Sequence, residues 1–251
     1  MDGASTDDTV AILGNAAHEH VRWRSEPDRG QGDALNKAFA ESRGAIIGWV
    51  NSDDALCDRR SLEWVVGYLL SHPEVDVVYG AALLVDSNTV ARQVLDPPRF
   101  SRSALEAVNF IVQPTVFMRR AALEREPFFV RDDLRYVMDR DLWFRLARHA
   151  RFARIPHILA IDRHQPARKV SEAGYPEEAS RFDLEIGIQP SAGKRIRSLS
   201  VRARSRLVGL PQMALLPRQV VPAVDLITPS LPKRLGYQLL LRRAAIHPSA
   251  S

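Results

Sequence analysis

A chain of 251 residues can bury one sizeable core with room for a second small unit, and its single cysteine, Cys57, excludes an internal disulfide. The apolar run 207–217, broken by Pro211, falls well short of the ~20 residues that span a bilayer, so no transmembrane helix is expected. The net charge of +5 is unevenly spread: residues 184–251 carry eleven Lys/Arg against Glu185 and Asp225, a tail of +9 that leaves residues 1–183 at −4. The basic balance therefore describes a tail suited to anionic surfaces, lipid or nucleic acid, attached to a mildly acidic domain. The opening Met1-Asp2-Gly3 has neither a basic nor an apolar leader pattern, which fits a reducing cytoplasm.

Thr6 or Asp7 can cap a first helix whose apolar positions Val10, Leu13 and Ala17 recur at helical spacing. A capping loop accounts for Ser5, Thr6, Asp7 and Asp8 but gives no reason for Asp2. Residues 21–25 read as a short strand and 26–32 as a polar turn, in which Gly30 and Gly32 allow positive φ or a close backbone approach. The spacing of Leu35, Ala38, Phe39 and Ser42 predicts a helix over 33–43, with Asp33 at its N-cap and Gly44 ending it.

Residues 45–50 are too short for a helix and rich in β-branched and aromatic side chains, so they read as a strand buried on both faces. That strand delivers Asn51-Ser52-Asp53-Asp54 to the carboxyl edge of a sheet, where ligands gather in open α/β folds. Two adjacent acids there can share a hard divalent cation with a phosphate; an Asp-Asp pair in that position also serves as a turn or a cap.

Further along, Asp58 caps a helix over 59–71, and 75–84 and 89–95 read as scaffold strands around the turn 86–88. Residues 101–108 form a short helix and 110–114 return across the sheet edge. A helix over 139–149 buries Leu142, Trp143 and Leu146 and leaves Asp139 at its N-terminal end, where an acid is commonly a cap. Residues 158–162 make another strand, followed by His164, a lone histidine of the kind that is commonly structural. In the tail, Ile196, Leu199, Ala203, Leu207 and Leu210 form one stripe flanked by Arg195, Arg197, Arg202, Arg204 and Arg206. Such a helix either lies in a membrane interface or docks its stripe on the domain's own surface.

Asp2-Gly3-Ala4-Ser5-Thr6-Asp7-Asp8-Thr9, Gly30-Gln31-Gly32-Asp33, Asn51-Ser52-Asp53-Asp54, Gln113-Pro114-Thr115 and Met138-Asp139-Arg140-Asp141 occur in this order. Together they resemble the family-2 glycosyltransferases of the GT-A fold over residues 1–164, with Asn-Ser-Asp-Asp as the variant of the Asp-x-Asp motif. The resemblance implies an α/β fold: a Rossmann-like mixed sheet flanked by helices over 1–183, then a basic, Pro-interrupted helical tail over 184–251. It implies transfer of a sugar, with inversion, from a UDP- or GDP-linked donor to a hydroxyl of a glycan or lipid-linked acceptor, with Mg²⁺ or Mn²⁺ as cofactor. Asp53 and Asp54 would hold the metal, Asp53 also reaching the nucleotide; Asp2 and Asp33 would contact the nucleotide; Asp139 would be the catalytic base. His164 would complete the metal shell, and 110–119 would border the acceptor pocket. Met138 departs from the Glu common in the family.

The family's first strand and helix, a block on the order of 30 residues, have no counterpart before Asp2. Strand 45–50 is therefore expected to show an unpaired edge, and the alternative to an active transferase is an inactive remnant that binds only nucleotide or a partner. A nucleic-acid role is disfavoured, because the tail offers a single aromatic, Tyr237, for base stacking. The resulting expectation is a cytoplasmic protein that can sit peripherally on the inner face of the membrane through its basic tail.

Overall fold

The structure, a computed structural model, describes residues 1–15, 21–163 and 172–214. Among these residues six strands form one mixed sheet: β1 (Ile46–Gly48), β2 (Ala55–Leu56), β3 (Val77–Val85), β4 (Ala91–Leu95), β5 (Phe117–Arg119) and β6 (Phe152–Arg163). Their order is β1-β5-β3-β6-β2, with β4 also beside β3. Helices α1 (Thr9–Asn15), α2 (Gln31–Glu41), α3 (Ser61–Ser71), α4 (Arg102–Ala107), α5 (Arg120–Leu123), α6 (Met138–Leu146), α7 (Gly174–Glu185) and α8 (Ala192–Ala214), together with a 3-10 turn over Gln113–Thr115, complete the described elements.

The sheet is built around β3, an apolar run of Val, Ala and Leu around Tyr79 and Gly80 that is buried on both faces except at half-buried Leu84, as a central strand requires. It pairs in parallel with β6 along its length; on its other side β5 takes its first residues and β4 its last, both antiparallel. Strand β6 begins at Phe152, six residues before the predicted strand, because Pro156 and its polar neighbours disguise the first half. The register slips there, from Tyr79 opposite Arg154 to Ala81 opposite Ile158, so the proline sits in a bulge rather than a ladder. Gly80 lies against that bulge, where a Cβ would stand 2.6 Å from the carbonyl oxygen of His157.

Other boundaries shift for similar local reasons. Residues 21–25 form no full strand; Ser25 makes a single parallel bridge with Asp2. Helix α2 starts at Gln31 behind Gly30, whose φ of 125° suits glycine, and so Asp33 lies inside the first turn instead of capping it. The helix ends at Glu41, before the predicted Gly44, with Ser42 already extended. Asp58 accepts the N–H of Arg60 at 2.8 Å, a turn before α3 starts at Ser61.

Strand β1 is shorter than predicted and is not buried on both faces: Ile47 is buried, Ile46 half-buried and Gly48 exposed. It stands at the end of the sheet, with β5 as its one partner strand among the described residues, as the unpaired-edge expectation required.

Helix α6 is the most enclosed helix of the domain, with Leu142, Trp143 and Leu146 fully buried. The loop that enters it is held from α7: the carboxylate of Glu178 accepts the backbone N–H groups of Arg135, Tyr136 and Val137, at 2.6 Å for Tyr136 and 3.0 Å for Val137. The position 183/184, where the charge pattern changes, falls inside α7, and Phe182 beside it is fully buried in the main core.

Candidate active site

The end of β1 and the start of β2 place the acid run at the sheet edge. The N–H of Asp54 closes a turn on the carbonyl of Asn51 at 3.1 Å, and β2 follows at once. Strand β2 pairs antiparallel with β6, Ala55 opposite Ile161 and Leu56 opposite Ala160, which carries Asp54 to the level of Asp162. The strand register thus brings Asp162 to a pair of acids more than a hundred residues earlier.

These carboxylates crowd one another. Burial pushes Asp54 up to about 7, the charges of Asp162 and Asp53 add to the rise, and hydrogen bonds from Asn51 and the backbone of Arg163 oppose it. Asn51 fixes the local geometry: its amide donates to Asp54 at 3.0 Å and to Gln113 at 2.8 Å, while its oxygen accepts from Gln31 and the Trp49 indole, each at 2.8 Å. Gln113 in turn donates to the carbonyl of Trp49. The Asn51 side chain is therefore saturated by protein partners, and Asp54 is held in one orientation.

Among the described residues no three His, Cys, Asp or Glu side chains already stand as a closed metal-binding group. The donor set nevertheless suits a hard cation: Asp53, Asp54 and Asp162 offer oxygen ligands, and a divalent ion would offset the part of the Asp54 rise that comes, after burial, from the neighbouring acids.

A cleft of about 1090 Å³ opens from this cluster along the free edge of β1, with α2 as its other wall. Leu35, Phe39, Ile47 and Trp49 make it apolar, Asp53, Asp54 and Asp162 close one part with acid, and Arg22 and Arg43 also line it. Phe129 braces the wall, stacked on Phe39 at 5.1 Å and edge-on to Trp49 at 6.0 Å. An apolar wall with a few convergent charges is the usual character of a small-molecule cleft, and the volume of about 1090 Å³ lies just above the ~300–1,000 Å³ typical of such sites.

The remaining predicted site residues take other places. Asp2 is bound within its own loop: the hydroxyls of Ser25 and Ser5 donate at 2.6 and 2.5 Å and the N–H of Ser5 at 3.0 Å, which lowers its carboxyl to about 2. That supplies the reason for Asp2 that a capping loop lacked. Asp33 accepts the N–H of Arg29 at 3.2 Å, and Lys37 stands 3.1 Å from it; these bonds lower its carboxyl in that order. Neither acid lines the cleft, whereas their neighbours Met1 and Gln31 do.

Asp139 is the second residue of α6 and also lies outside the cleft lining. Its Oδ2 accepts from Asn109 at 2.8 Å and its Oδ1 from the N–H of Arg140 at 2.7 Å, yet burial outweighs these bonds and raises the carboxyl. Tyr175 stands near enough that the Asp139 charge helps burial raise its phenol. His164 falls outside the described residues.

Sequence reasoning missed Asp162, Asn51 and Asn109. Asp162 alone had a readable signal, an acid closing a predicted strand, while the two asparagines act only through contacts that the fold creates.

Comparison with known proteins bears on the fold and the family. A crystal structure of S. aureus TarS in complex with UDP-GlcNAc superposes with a TM-score of 0.59 at 17% identity, covering 97% of this chain and 68% of that one. A mannosyltransferase from Pyrobaculum calidifontis in complex with GDP-Man and Mn²⁺ gives 0.51 at 18% identity, covering 97% of this chain and 73% of the other. Both likenesses show the GT-A fold. An uncharacterized protein of Sinorhizobium fredii, y4gI, is 28% identical over 239 residues, 91% of this chain, which spans a quarter of that relative's length. The model of glycosyl transferase family 2 matches residues 1–128, just over half of the chain and the part that carries the Asn-Ser-Asp-Asp edge, and the chain belongs to that family.

Proposed function

We propose that this protein transfers a sugar from a nucleoside diphosphate donor to an acceptor hydroxyl, with inversion at the anomeric carbon. The observation that carries the reading is the meeting of Asp53, Asp54 and Asp162 on a cleft large enough for a nucleotide sugar. The sugar nucleotides bound by the two structural relatives support a UDP- or GDP-linked donor.

Asp53, Asp54 and Asp162 would hold Mg²⁺ or Mn²⁺, with His164 as a further candidate ligand. A bound divalent ion supplies charge neutralisation for the departing diphosphate. Asp2 and Asp33 do not line the cleft; they hold the loops whose residues Met1 and Gln31 do, and would reach the nucleotide only from behind those neighbours. Leu35, Phe39 and Trp49 offer the apolar surface that keeps water from the donor.

Asp139 accepts the proton of the attacking hydroxyl. Its raised carboxyl makes it a stronger base than an exposed aspartate, and Asn109 and the Arg140 N–H fix both oxygens for that task. The acceptor oxygen bonds to the anomeric carbon as the bond to the diphosphate breaks; one displacement inverts the configuration. The acceptor is a glycan or lipid-linked hydroxyl compound.

A panel of UDP- and GDP-sugars, with Mg²⁺ or Mn²⁺ and a chelator control, tests the reading through nucleotide release. Release from one donor, abolished by chelator, is the expected result. Nucleotide binding without release under any donor and acceptor would instead support a catalytically silent family member.

A further inference from the structure

The tail helix does not use its apolar stripe to hold itself on the domain. Helix α8 docks through small and polar side chains together with two apolar ones, with Ser205 and Gly209 buried, Lys194, Ser198 and Gln212 half-buried, and half-buried Val201 and Met213 packed against the core. These positions recur at spacings of three and four and define one face. The fit is specific: a Cβ at Gly209 would stand 2.1 Å from the carbonyl oxygen of Val94 on β4, and the N–H of Asp96 donates to the carbonyl of Ser205 at 3.2 Å. Gln212 donates to the buried carboxylate of Asp96 at 3.0 Å, and Lys194 pairs with Asp183 on α7.

The opposite face is the stripe. Ile196 and Leu199 are each 68% exposed, Leu207 63% and Leu210 59%. At about 100° per residue these four and Ala203 point away from the docked face. Arg195, Arg202 and Arg206 then fall on one flank and Arg197 and Arg204 on the other, all exposed. An aliphatic ridge between two rows of arginine, on a helix whose orientation is locked by its back, is the pattern of an interfacial helix.

We propose that α8 docks the protein on an anionic bilayer surface, with Ile196, Leu199, Leu207 and Leu210 inserted at the acyl boundary and the arginines on the phosphate layer. Charge decides the occupant. A second copy seated ridge to ridge would bring ten arginines together with no facing acid on either helix, since α8 contains neither Asp nor Glu. Nucleic acid would meet the arginines but would leave the aliphatic ridge in contact with phosphate or water. This docking is independent of the transfer reading, because it is measured without donor or acceptor.

Co-flotation of the full chain with vesicles of phosphatidylcholine, alone or mixed with phosphatidylglycerol, tests the proposal. Binding is expected only with the anionic lipid and weakens as salt rises. R195A/R204A/R206A should lower the partition coefficient about a hundredfold, at roughly fivefold per basic residue. L199S/L207S should lower it by about tenfold or more per leucine, as lost apolar burial requires. These side chains face solvent, so the circular dichroism spectrum and Tm should stay at the wild-type values. Equal binding to neutral vesicles, unchanged binding by L199S/L207S, RNA binding without vesicle binding, or a dimer abolished by L199S/L207S in a protein that ignores vesicles would each overturn it.

Discussion

Two acid-rich regions of this protein treat their carboxylates in opposite ways. Around α6, Glu126 and Asp141 meet the guanidinium of Arg145 at 3.1 and 2.8 Å, His149 adds a bond to Glu126 at 2.5 Å, and Arg145 also donates to the carbonyl of Phe129 at 2.8 Å. At the sheet edge, Asp54 is surrounded by burial and by Asp162 and Asp53, with amide donors from Asn51 and the Arg163 backbone as the opposing influence. In the first region the fold compensates its own charge. In the second it concentrates charge at a cleft, and stability is traded for a capacity to bind.

Substitution separates the two. Asp54→Ala should cut metal-dependent transfer by about a thousandfold or more, matching the several kcal/mol that a bound ion contributes to a charged transition state. Its Tm should equal or exceed that of the wild type, because one crowded carboxylate has been removed. Transfer that survives chelator, or a variant that keeps most of its activity, would end the metal assignment.

Arg145→Ala should do the reverse. Arg145 and its partners Glu126 and Asp141 have side chains less than a tenth exposed, and removing the cation strands both acids. Loss of about 3–5 kcal/mol of stability, read by denaturant unfolding, is expected. A loss under about 1 kcal/mol would show that water reaches the network and that it resembles a surface ion pair.

Asp139 lies between the two cases, hydrogen-bonded by the fold yet raised by burial. Asp139→Asn should lower kcat by about a hundredfold or more with donor Kd unchanged, since the amide keeps the shape and cannot take the proton. A weaker donor Kd with unchanged kcat would move Asp139 from proton transfer to binding.

Much of the edge was readable because its signal is local. A short apolar run ending on Asn51-Ser52-Asp53-Asp54 announces a strand end, and the run of β3 announces a strand but not its central place in the sheet. Asp162 was not readable as a partner, because its place beside Asp54 is created by the pairing of β2 with β6. The first half of β6 was hidden by Pro156, which the bulge tolerates. In α8 the periodicity revealed the stripe but not its direction; Ser205 and Gly209 decide that, through a close approach to β4 that only assembled strands provide.

The most direct measure of the contrast is the dependence of stability on pH in the metal-free protein. Asp54 has a folded-state value near 7 against an ordinary value of 3.8, so between those limits the folded state holds the extra proton. Stability from this group is therefore full below about 4, declines as pH rises toward 7, and is lost above it. Glu126 has the other sign. Burial pushes it up, but the bonds from His149 and Arg145 together prevail and hold it below the usual carboxylate range, so its contribution is present above the unfolded value and is lost as pH falls through the folded one. Asp54→Asn should flatten the decline between pH 5 and 7 and leave the loss at acid pH untouched, as read by urea unfolding across that range. If the variant keeps the wild-type slope, the carboxylates at the cleft are not crowded in solution, and the contrast between the two regions is lost with them.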